Sequence, residues 1–167
     1  MIMIKLGDIT QEDVDVIVNA ANTSLLGGGG VDGAIHRAAG LSVLEECKKI
    51  GGCRTGEVVM TGAGRLKAKN IIHTPGPVWH GGGFGEADLL RGCYRNSLLL
   101  AHRNDLKTIA FPAISTGVYG YPMEEATKIA LSAGKEFEKD FREIRYICYS
   151  QGDLEVYMKI WTGLKDK

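Results

Sequence analysis

The chain has 167 residues, the length of one domain of ordinary size, so we expect a single domain over residues 1–167. A chain of this length buries about 70% of its unfolded surface on folding and needs no disulfide or metal for stability. Lysine plus arginine number 20, as do aspartate plus glutamate, and this balance argues against binding nucleic acid through a broad basic surface. A site that holds one anionic ligand through backbone groups is compatible with the balance.

The start of the chain and its cysteines bear on the compartment. The segment M-I-M-I-K-L-G-D has no basic leader followed by a long apolar run, and no stretch reaches the roughly 18 apolar residues of a membrane span. The cysteines form no C-x-x-C pair and are interpreted as buried or incidental thiols rather than as a zinc or redox site: Cys47, Cys53, Cys93 and Cys148. These observations predict a cytoplasmic protein without a membrane partner, and we expect a monomer.

Strand-like and helix-like patterns alternate along the chain. In chain order they predict a strand ending before Asp8, a strand over 14–19, a helix over 33–39 and a further helical stretch to about residue 49, strands over 57–61 and 70–73, a helix over 86–102, a strand over 108–113, a helix over 124–138, a strand over 144–149 and a helix over 153–161. The helix over 124–138 carries a clear amphipathic stripe, starting at Ala126. The alternation predicts an α/β fold with a largely parallel sheet covered by helices on both faces.

The first glycine-rich loop follows the predicted strand that ends at Asn19. Four consecutive glycines, 27–30, precede Val31 and Asp32, and a helix is predicted to begin at Gly33. Backbone N–H groups at the start of a helix form an anion site, and glycines let the backbone approach a ligand closely. The alternative is a flexible surface loop, which the flanking asparagines and aspartate disfavour.

Two nucleotide-binding motifs are excluded for this loop. Gly28, Gly30 and Gly33 match the G-x-G-x-x-G fingerprint, but that fingerprint needs its first glycine directly after the strand, and here about eight residues follow Asn19. The acidic residue expected at the end of the next strand is also absent. A phosphate-binding P-loop fails too, because no Gly-Lys-Ser/Thr follows.

A second loop over 113–122 also joins a predicted buried strand to a predicted helix. Ser115 and Thr116 offer hydroxyl groups, Gly117 allows close backbone approach, and Tyr119 could pack against a sugar. The alternative is an ordinary strand-to-helix turn with a tyrosine in the core. Two such loops together favour a ligand whose diphosphate lies between them.

Three further polar residues have both a structural and a functional interpretation. Asp8, at the end of the first strand, could accept a hydrogen bond from the amino group of a base, or could cap a turn or helix. His73 follows a strand and His36 falls within a predicted helix, and both are interpreted as structural. No group of His, Cys and Asp has a convincing metal-ligand spacing, so we predict neither a metal nor a cofactor.

The order and spacing of four segments resemble the MacroD-type macrodomains. These segments are G-D-I at 7–9, N-A-A-N at 19–22, G-G-G-G-V-D-G-A-I-H-R-A-A-G at 27–40 and P-A-I-S-T-G-V-Y-G-Y-P at 112–122. The resemblance covers essentially the whole chain and implies a three-layer α/β/α sandwich with a mixed, largely parallel six-stranded sheet. It implies ADP-ribose as the ligand. Zinc-containing relatives have additional Cys and His ligands that are not found here, which implies a metal-free site.

The resemblance also assigns roles to individual residues. It implies that Asp8 binds the adenine amino group beside the Ile9 backbone, and that Tyr149 packs near adenine. The diphosphate would lie against the backbone of Gly28, Gly29, Gly30 and Val31 and of Ser115, Thr116, Gly117 and Val118. Tyr119 would border the distal ribose, Asn22 would bind its hydroxyl groups, and Asp32 would be the catalytic carboxylate.

The activity implied by the resemblance is ester hydrolysis at the distal ribose. The substrates would be O-acetyl-ADP-ribose and proteins carrying mono-ADP-ribosyl aspartate or glutamate. A water would lie between Asp32, Asn22 and a substrate phosphate, and its proton would pass to Asp32 or to that phosphate. The loop N–H groups are expected to favour the ionised form of Asp32. Alternatives are a non-catalytic ADP-ribose reader, a phosphatase acting on ADP-ribose 1″-phosphate, and an RNA-associated regulator, which the neutral charge disfavours.

Overall fold

A computed structural model describes residues 1–167, and its centre is one six-stranded sheet. The strands are β1 Ile2–Leu6, β2 Val16–Ala21, β3 Val59–Gly62, β4 Asn70–Pro75, β5 Thr108–Phe111 and β6 Glu143–Cys148. They lie in the order β1-β6-β5-β2-β4-β3, and all neighbours are parallel except β3, which pairs antiparallel with β4 at one edge. The predicted mixed, largely parallel sheet is confirmed.

Five helices cover the two faces of this sheet. They are α1 Gly30–Ala39, α2 Leu41–Ile50, α3 Glu86–Arg103, α4 Met123–Phe137 and α5 Gln151–Leu164, and two short 3-10 helices span Ile9–Gln11 and Glu138–Asp140. Buried residues of α3, α4 and α5 pack with one face of the strands, and those of α1 and α2 pack with the other. The predicted three-layer sandwich is therefore confirmed. None of the five helices is long and apolar enough to cross a membrane.

The alternation of side chains along β2 explains the two cores. Val16 and Val18 point to the layer of α3, α4 and α5, whereas Ile17 points to the layer of α1 and α2. Asn19 comes two residues after Ile17 and therefore lies on the face covered by α1 and α2. It is fully buried although its side chain is polar. Ile71 and His73 of β4 share that face by the same alternation. Two polar strand residues are thus enclosed under the first two helices.

Two predicted boundaries near the first glycine loop are wrong. The second strand begins at Val16 rather than at residue 14, because Asp15 leaves the ladder to accept hydrogen bonds from the backbone of Lys107 and Thr108. The first helix begins at Gly30 rather than at Gly33. It ends at Ala39, as predicted, and Gly40, with a φ of 91°, separates it from the helix over Leu41–Ile50. Asp32 consequently belongs to the first turn of α1.

Candidate functional site

The candidate site is a crevice at the carboxyl ends of the parallel strands. Asp8 follows β1, Tyr149 follows β6, the loop over 112–122 follows β5, and the loop over 22–29 follows β2. Because β1, β6, β5 and β2 are neighbours in the sheet, these four segments meet along one edge. Ligands of open α/β sheets bind at this edge.

Two rows of unpaired backbone N–H groups line the crevice. The amides of residues 27–32 and of residues 115–119 donate no hydrogen bond within the protein, and Gly33 is the first in α1 to do so, to the Gly29 carbonyl at 3.1 Å. The first row belongs to the glycine loop and the first turn of α1, where the helix dipole adds positive potential. Groups of this kind bind phosphate oxygens.

The second loop is shaped by close packing of its backbone. Ser115 adopts a φ of 67°, a conformation that non-glycine residues rarely adopt and that is common at ligand sites. Its buried hydroxyl has no hydrogen-bond partner and faces Gly76, where any side chain would overlap it. The Thr116 hydroxyl donates to the Ala113 carbonyl at 3.3 Å. Both hydroxyls thus turn back onto the protein, and the loop presents its backbone instead of the hydroxyls considered from the sequence.

One wall of the crevice comes from the segment between β4 and α3. The Trp79 N–H donates to the Tyr119 carbonyl at 2.8 Å, and the Trp79 ring packs on Tyr121 at 4.6 Å between centroids. The Glu86 carboxylate accepts hydrogen bonds from the N–H groups of His80, Gly82 and Phe84. Desolvation opposes ionisation of Glu86, but these N–H groups outweigh it and lower its pKa to about 2. This segment thereby holds Tyr119 in place.

Asn22 and Asp32 come together beside Gly28. A Cβ built on Gly28 would lie 3.2 Å from Asp32 Oδ2 and 3.4 Å from Asn22 Nδ2, so both side chains border this glycine. Asn22 Nδ2 also donates to the Gly27 carbonyl at 2.8 Å, and Asn22 Oδ1 accepts from the Ser24 hydroxyl at 2.6 Å. Gly33 packs so tightly on the Gly28 carbonyl that a Cβ there would overlap it. The two predicted catalytic side chains are therefore neighbours in a closely packed loop.

The surroundings of Asp32 differ from the expectation. Only 6% of the residue is exposed, and Oδ1 accepts a hydrogen bond from Asn19 Nδ2 at 2.8 Å, with His36 Nε2 at 3.4 Å. Burial raises the pKa of Asp32, and the Asn19 hydrogen bond and the His36 charge offset this only in part. The expectation that the loop N–H groups favour the ionised form was wrong, because none of them donates to the Asp32 carboxylate and its burial has the larger effect.

A buried polar cluster lies directly behind Asp32. We call Asn19, Thr61, His73, His36 and Cys47 the inner cluster. His73 Nδ1 lies 3.1 Å from Asn19 Nδ2, and His73 Nε2 lies 2.9 Å from Thr61 Oγ1 and 3.9 Å from Cys47 Sγ. Burial, with a contribution from His36, lowers the pKa of His73 to about 4, so the ring is neutral.

Sequence reasoning missed the inner cluster. One ligand atom each of His36, Cys47 and His73 lie within 4.8 Å of one another, although their spacing along the chain suggested no such group. Asn19 was noted at the end of a strand and within the N-A-A-N segment, but its contact with Asp32 was not predicted. The available signal was a polar residue at an inward position of an apolar strand, which requires a buried partner.

The other end of the crevice contains Asp8, Ile9 and Tyr149. Asp8 caps the first 3-10 helix, since one carboxylate oxygen accepts from the Thr10 N–H at 3.0 Å and the Thr10 hydroxyl at 2.7 Å. The Ile9 side chain is in the core, which leaves only its backbone for a ligand. The Tyr149 ring is 93% exposed, and the neighbouring Cys148 carbonyl accepts from the Gly7 N–H. Both interpretations of Asp8 are compatible with this geometry, because its second oxygen is not engaged.

The exposed tip of the second loop completes the crevice. Val118 is fully exposed and Tyr119 is half-buried, so their side chains meet solvent while their N–H groups are unpaired. An exposed valine at a loop tip gains nothing from the core. It is available to cover a ligand that lies on the amides below it.

Comparisons with known proteins agree with the fold. A family model described as Macro domain matches residues 18–130. The chain is 53% identical over 167 residues to a Salmonella newport protein named O-acetyl-ADP-ribose deacetylase, covering 96% of this chain and 93% of the relative.

Two solved structures are similar over almost the whole chain. A variant of the Oceanobacillus iheyensis macrodomain with ADPR has a TM-score of 0.93 and 43% identity, covering 98% of this chain and 93% of that one. A Trypanosoma brucei macrodomain in complex with ADP-ribose has a TM-score of 0.88 and 44% identity, covering 95% of this chain and 68% of that one. With its six-stranded sheet, its two glycine loops and these similarities, the chain belongs to the Macro domain family.

Proposed function

We propose that this protein binds ADP-ribose and hydrolyses esters on its distal ribose, with O-acetyl-ADP-ribose as a substrate. The observation that carries the proposal is the pair of unpaired N–H rows, 27–32 and 115–119, with Asn22 and Asp32 beside the first row. The rows suit a diphosphate, and the two side chains suit a group attached next to it. The Salmonella relative's name and the ligands of the two solved structures support the same ligand class.

In this proposal the ligand extends along the edge of the sheet. Adenine lies between Asp8 and Tyr149, with its amino group donating to the free oxygen of Asp8 and with the Ile9 backbone beside it. The diphosphate accepts hydrogen bonds from the two amide rows. The distal ribose then reaches Tyr119 and Asn22, and its ester comes next to Asp32.

The chemistry follows from the position of Asp32 Oδ2. Oδ1 is occupied by Asn19, so Oδ2 is the oxygen available to a water in the crevice. The water oxygen attacks the acyl carbon of the ester, the bond from that carbon to the ribose oxygen breaks, and the ribose hydroxyl leaves with a proton. Asp32 Oδ2 or a substrate phosphate oxygen takes the proton of the water and passes it to the leaving ribose oxygen. A raised pKa makes Asp32 a stronger base than an exposed aspartate, and general-base help contributes about 10²–10⁴ in rate.

Mono-ADP-ribosyl aspartate and glutamate on proteins are proposed substrates of the same reaction. They place the same kind of ester on the same ribose, and the crevice opens to solvent at Val118. A reader without turnover and a phosphatase acting on ADP-ribose 1″-phosphate remain the alternatives. The buried carboxylate next to Asn22 favours the esterase, because a pure reader has no need of an ionisable group that is costly to bury.

A single set of assays tests the proposal. The protein is incubated with O-acetyl-ADP-ribose, with a mono-ADP-ribosylated acceptor and with ADP-ribose 1″-phosphate, and release of acetate, ADP-ribose and phosphate is followed. Reaction in oxygen-18 water should place the label in acetate, because the acyl carbon is attacked. Binding of ADP-ribose without turnover of any ester would support the reader, and release of phosphate alone would support the phosphatase.

Mutation of Asp32 separates catalysis from binding. Asp32→Ala is expected to lower turnover by about 10²-fold or more, because the carboxylate acts in the transition state more than in the ground state. Calorimetry should show that ADP-ribose still binds. The control is Asp13→Ala, which removes an exposed carboxylate before β2, at the opposite edge of the sheet. Turnover near the wild-type rate in Asp32→Ala would assign proton transfer to the substrate phosphate or another group.

A further inference from the structure

We propose that His73 is a positioning residue, which holds the Asn19 amide in the one orientation that directs Asp32 Oδ2 to the crevice. The observation behind this is a continuous chain of contacts from Thr61 through His73 and Asn19 to Asp32. The inference rests on the proposed function, because it assigns a role that acts through Asp32.

With Asp32 ionised, as the proposed reaction requires, the donors and acceptors along this chain follow from one another. An ionised Asp32 accepts hydrogen bonds, so the Asn19 atom 2.8 Å from Oδ1 is the amide nitrogen. The second N–H of that nitrogen points at His73 Nδ1, 3.1 Å away, which must therefore be the unprotonated nitrogen. The hydrogen of neutral His73 is then on Nε2 and is donated to Thr61 Oγ1 at 2.9 Å. Thr61 in turn donates to the Gly62 carbonyl at 2.8 Å.

In this orientation the Asn19 amide oxygen faces no donor. It is buried and has no hydrogen-bond partner, which is unfavourable for a polar atom. Rotating the amide by half a turn would place that oxygen against Asp32 Oδ1 and His73 Nδ1, where it would meet two acceptors. Leaving the oxygen unpartnered is the only way to direct both N–H groups to these atoms.

The chain of contacts is built on rigid elements. Asn19 and His73 are directly paired between β2 and β4, and Thr61 lies in the adjoining β3, paired with Ile71. All three are buried, so water does not compete for their hydrogen bonds. Asp32, by contrast, stands in the first turn of α1, next to four glycines with little conformational preference. Three neighbouring strands thus hold the amide that contacts the Asp32 carboxylate.

The same assignment argues against an ion at this point. His36, Cys47 and His73 are close enough to share one, but His73 Nε2 carries the hydrogen and Nδ1 uses its lone pair for Asn19. Binding an ion would require His73 to release Thr61 or Asn19. The hydrogen-bond chain accounts for both nitrogens, and it connects the inner cluster to the proposed reaction.

Two substitutions at His73 test the proposal. His73→Leu removes the acceptor for Asn19 and is expected to lower kcat for O-acetyl-ADP-ribose by about ten- to a hundredfold, the effect of a misplaced catalytic group. The dissociation constant of ADP-ribose should stay within about threefold, since the ligand does not touch His73. His73→Asn can place an amide oxygen where Nδ1 was and should recover most of the lost kcat. His102→Leu, at the exposed end of α3, controls for loss of a histidine.

The outcomes separate positioning from a merely structural role. Wild-type kcat in His73→Leu would overturn the proposal, and so would equal loss in the Leu and Asn variants when circular dichroism shows both folded. If His73→Leu does not fold, nitrogen NMR of the wild-type protein identifies which ring nitrogen of His73 carries the hydrogen. A hydrogen on Nε2 supports the proposal, and a hydrogen on Nδ1 overturns it. The spectrum does not depend on turnover, so absence of esterase activity would refute the proposed function and leave the NMR result on His73 unchanged.

Discussion

At the scale of single residues, Asp32 meets two opposed requirements. The proposed reaction needs its ionised form, whereas burial raises its pKa and favours the neutral form. Asn19 and His36 offset the burial only in part. The folded protein therefore carries a charge that costs stability at neutral pH, as is common for groups placed for function rather than for packing.

Asp32→Asn should raise the thermal stability at neutral pH while it abolishes the base. Since the folded pKa is raised above the ordinary 3.8, protonation stabilises the folded state; that stability is present at low pH and lost as pH rises through the folded pKa. The Tm advantage of Asp32→Asn over wild type should thus be largest above the folded pKa and shrink on acidification. Thermal unfolding at several pH values measures it. A wild type that is more stable than the variant at neutral pH, with the gap closing on acidification, would mean that the pKa is lowered.

Asp8 should contribute to affinity through its free oxygen. Asp8→Ala is expected to weaken ADP-ribose binding by about 1.5–3 kcal/mol, the loss of a hydrogen bond to a charged group. Asp8→Ala also removes the cap of the 3-10 helix, so Asp8→Asn is the matched variant. The Oδ1 of the asparagine can still accept from the Thr10 N–H, whereas its NH2 group cannot accept a hydrogen bond from adenine. Calorimetry should show weaker ADP-ribose binding in both variants. The Tm should be lower only in Asp8→Ala. Unchanged affinity in both would place adenine elsewhere.

At the scale of elements, glycines in helices serve close packing rather than flexibility. Gly33 in α1 lies against the Gly28 carbonyl, and this contact shapes the first row of amides. Gly134 in α4 lies against the hydroxyl of Tyr146, which donates to the Ala130 carbonyl at 2.5 Å. Tyr146 is fully buried and stacks on Phe111 at 5.6 Å between ring centroids, so it has no room to move. The close packing of α4 on the sheet depends on a glycine, which has no side chain, at position 134.

Gly134→Ala should therefore destabilise the protein, although alanine is the better helix former. Overlap with Tyr146 is expected to cost about 1–3 kcal/mol of the free energy of unfolding, as overpacked cores do. Gly163→Ala in α5 is the control, because a Cβ there meets nothing within 4 Å and should stabilise by up to about 1 kcal/mol. Urea unfolding measures both. If Gly134→Ala were as stable as Gly163→Ala, the Tyr146 side chain would have to rearrange to accommodate the added methyl group.

At the scale of the whole molecule, parallel strands gather remote segments into one site. Asp8, Asn22, Ser115 and Tyr149 are far apart in the chain, and they meet because β1, β2, β5 and β6 end at the same edge. The antiparallel β3 is the edge strand at the opposite end of the sheet from β1, and its Thr61 contacts His73. The residues proposed to bind the ligand lie in the crevice. The inner cluster lies between the sheet and the helices α1 and α2.

Esterase activity should survive removal of metal ions. The proposed reaction uses Asp32, Asn22 and a substrate phosphate, and both nitrogens of His73 are engaged in hydrogen bonds. Dialysis against EDTA followed by assay with O-acetyl-ADP-ribose measures this, with untreated protein as the control. Loss of activity that zinc or magnesium restores would assign an ion to the reaction and would point to His36, Cys47 and His73.

Local patterns in the sequence were sufficient to predict the alternation of strands and helices and the two glycine-rich loops. Apolar runs and amphipathic stripes are local patterns, so the strands and helices were predicted in the right order. The glycine blocks are local as well, and with Asp8, Asn22 and Asp32 they indicated a site for an anionic ligand and the family. The loop over 113–122 was predicted as the second ligand loop, and the resemblance assigned the diphosphate to the backbone of residues 115–118.

The limits of those elements and the environment of Asp32 depend on tertiary packing. Pairing with β4 extends β2 to Ala21, and packing on Gly28 lets α1 begin among glycines, which have poor helix propensity. The raised pKa of Asp32 and its link to His73 depend on burial and on contacts between different strands and helices. Desolvation and long-range hydrogen bonds exist only once the chain has packed, so no local pattern in the sequence carries them.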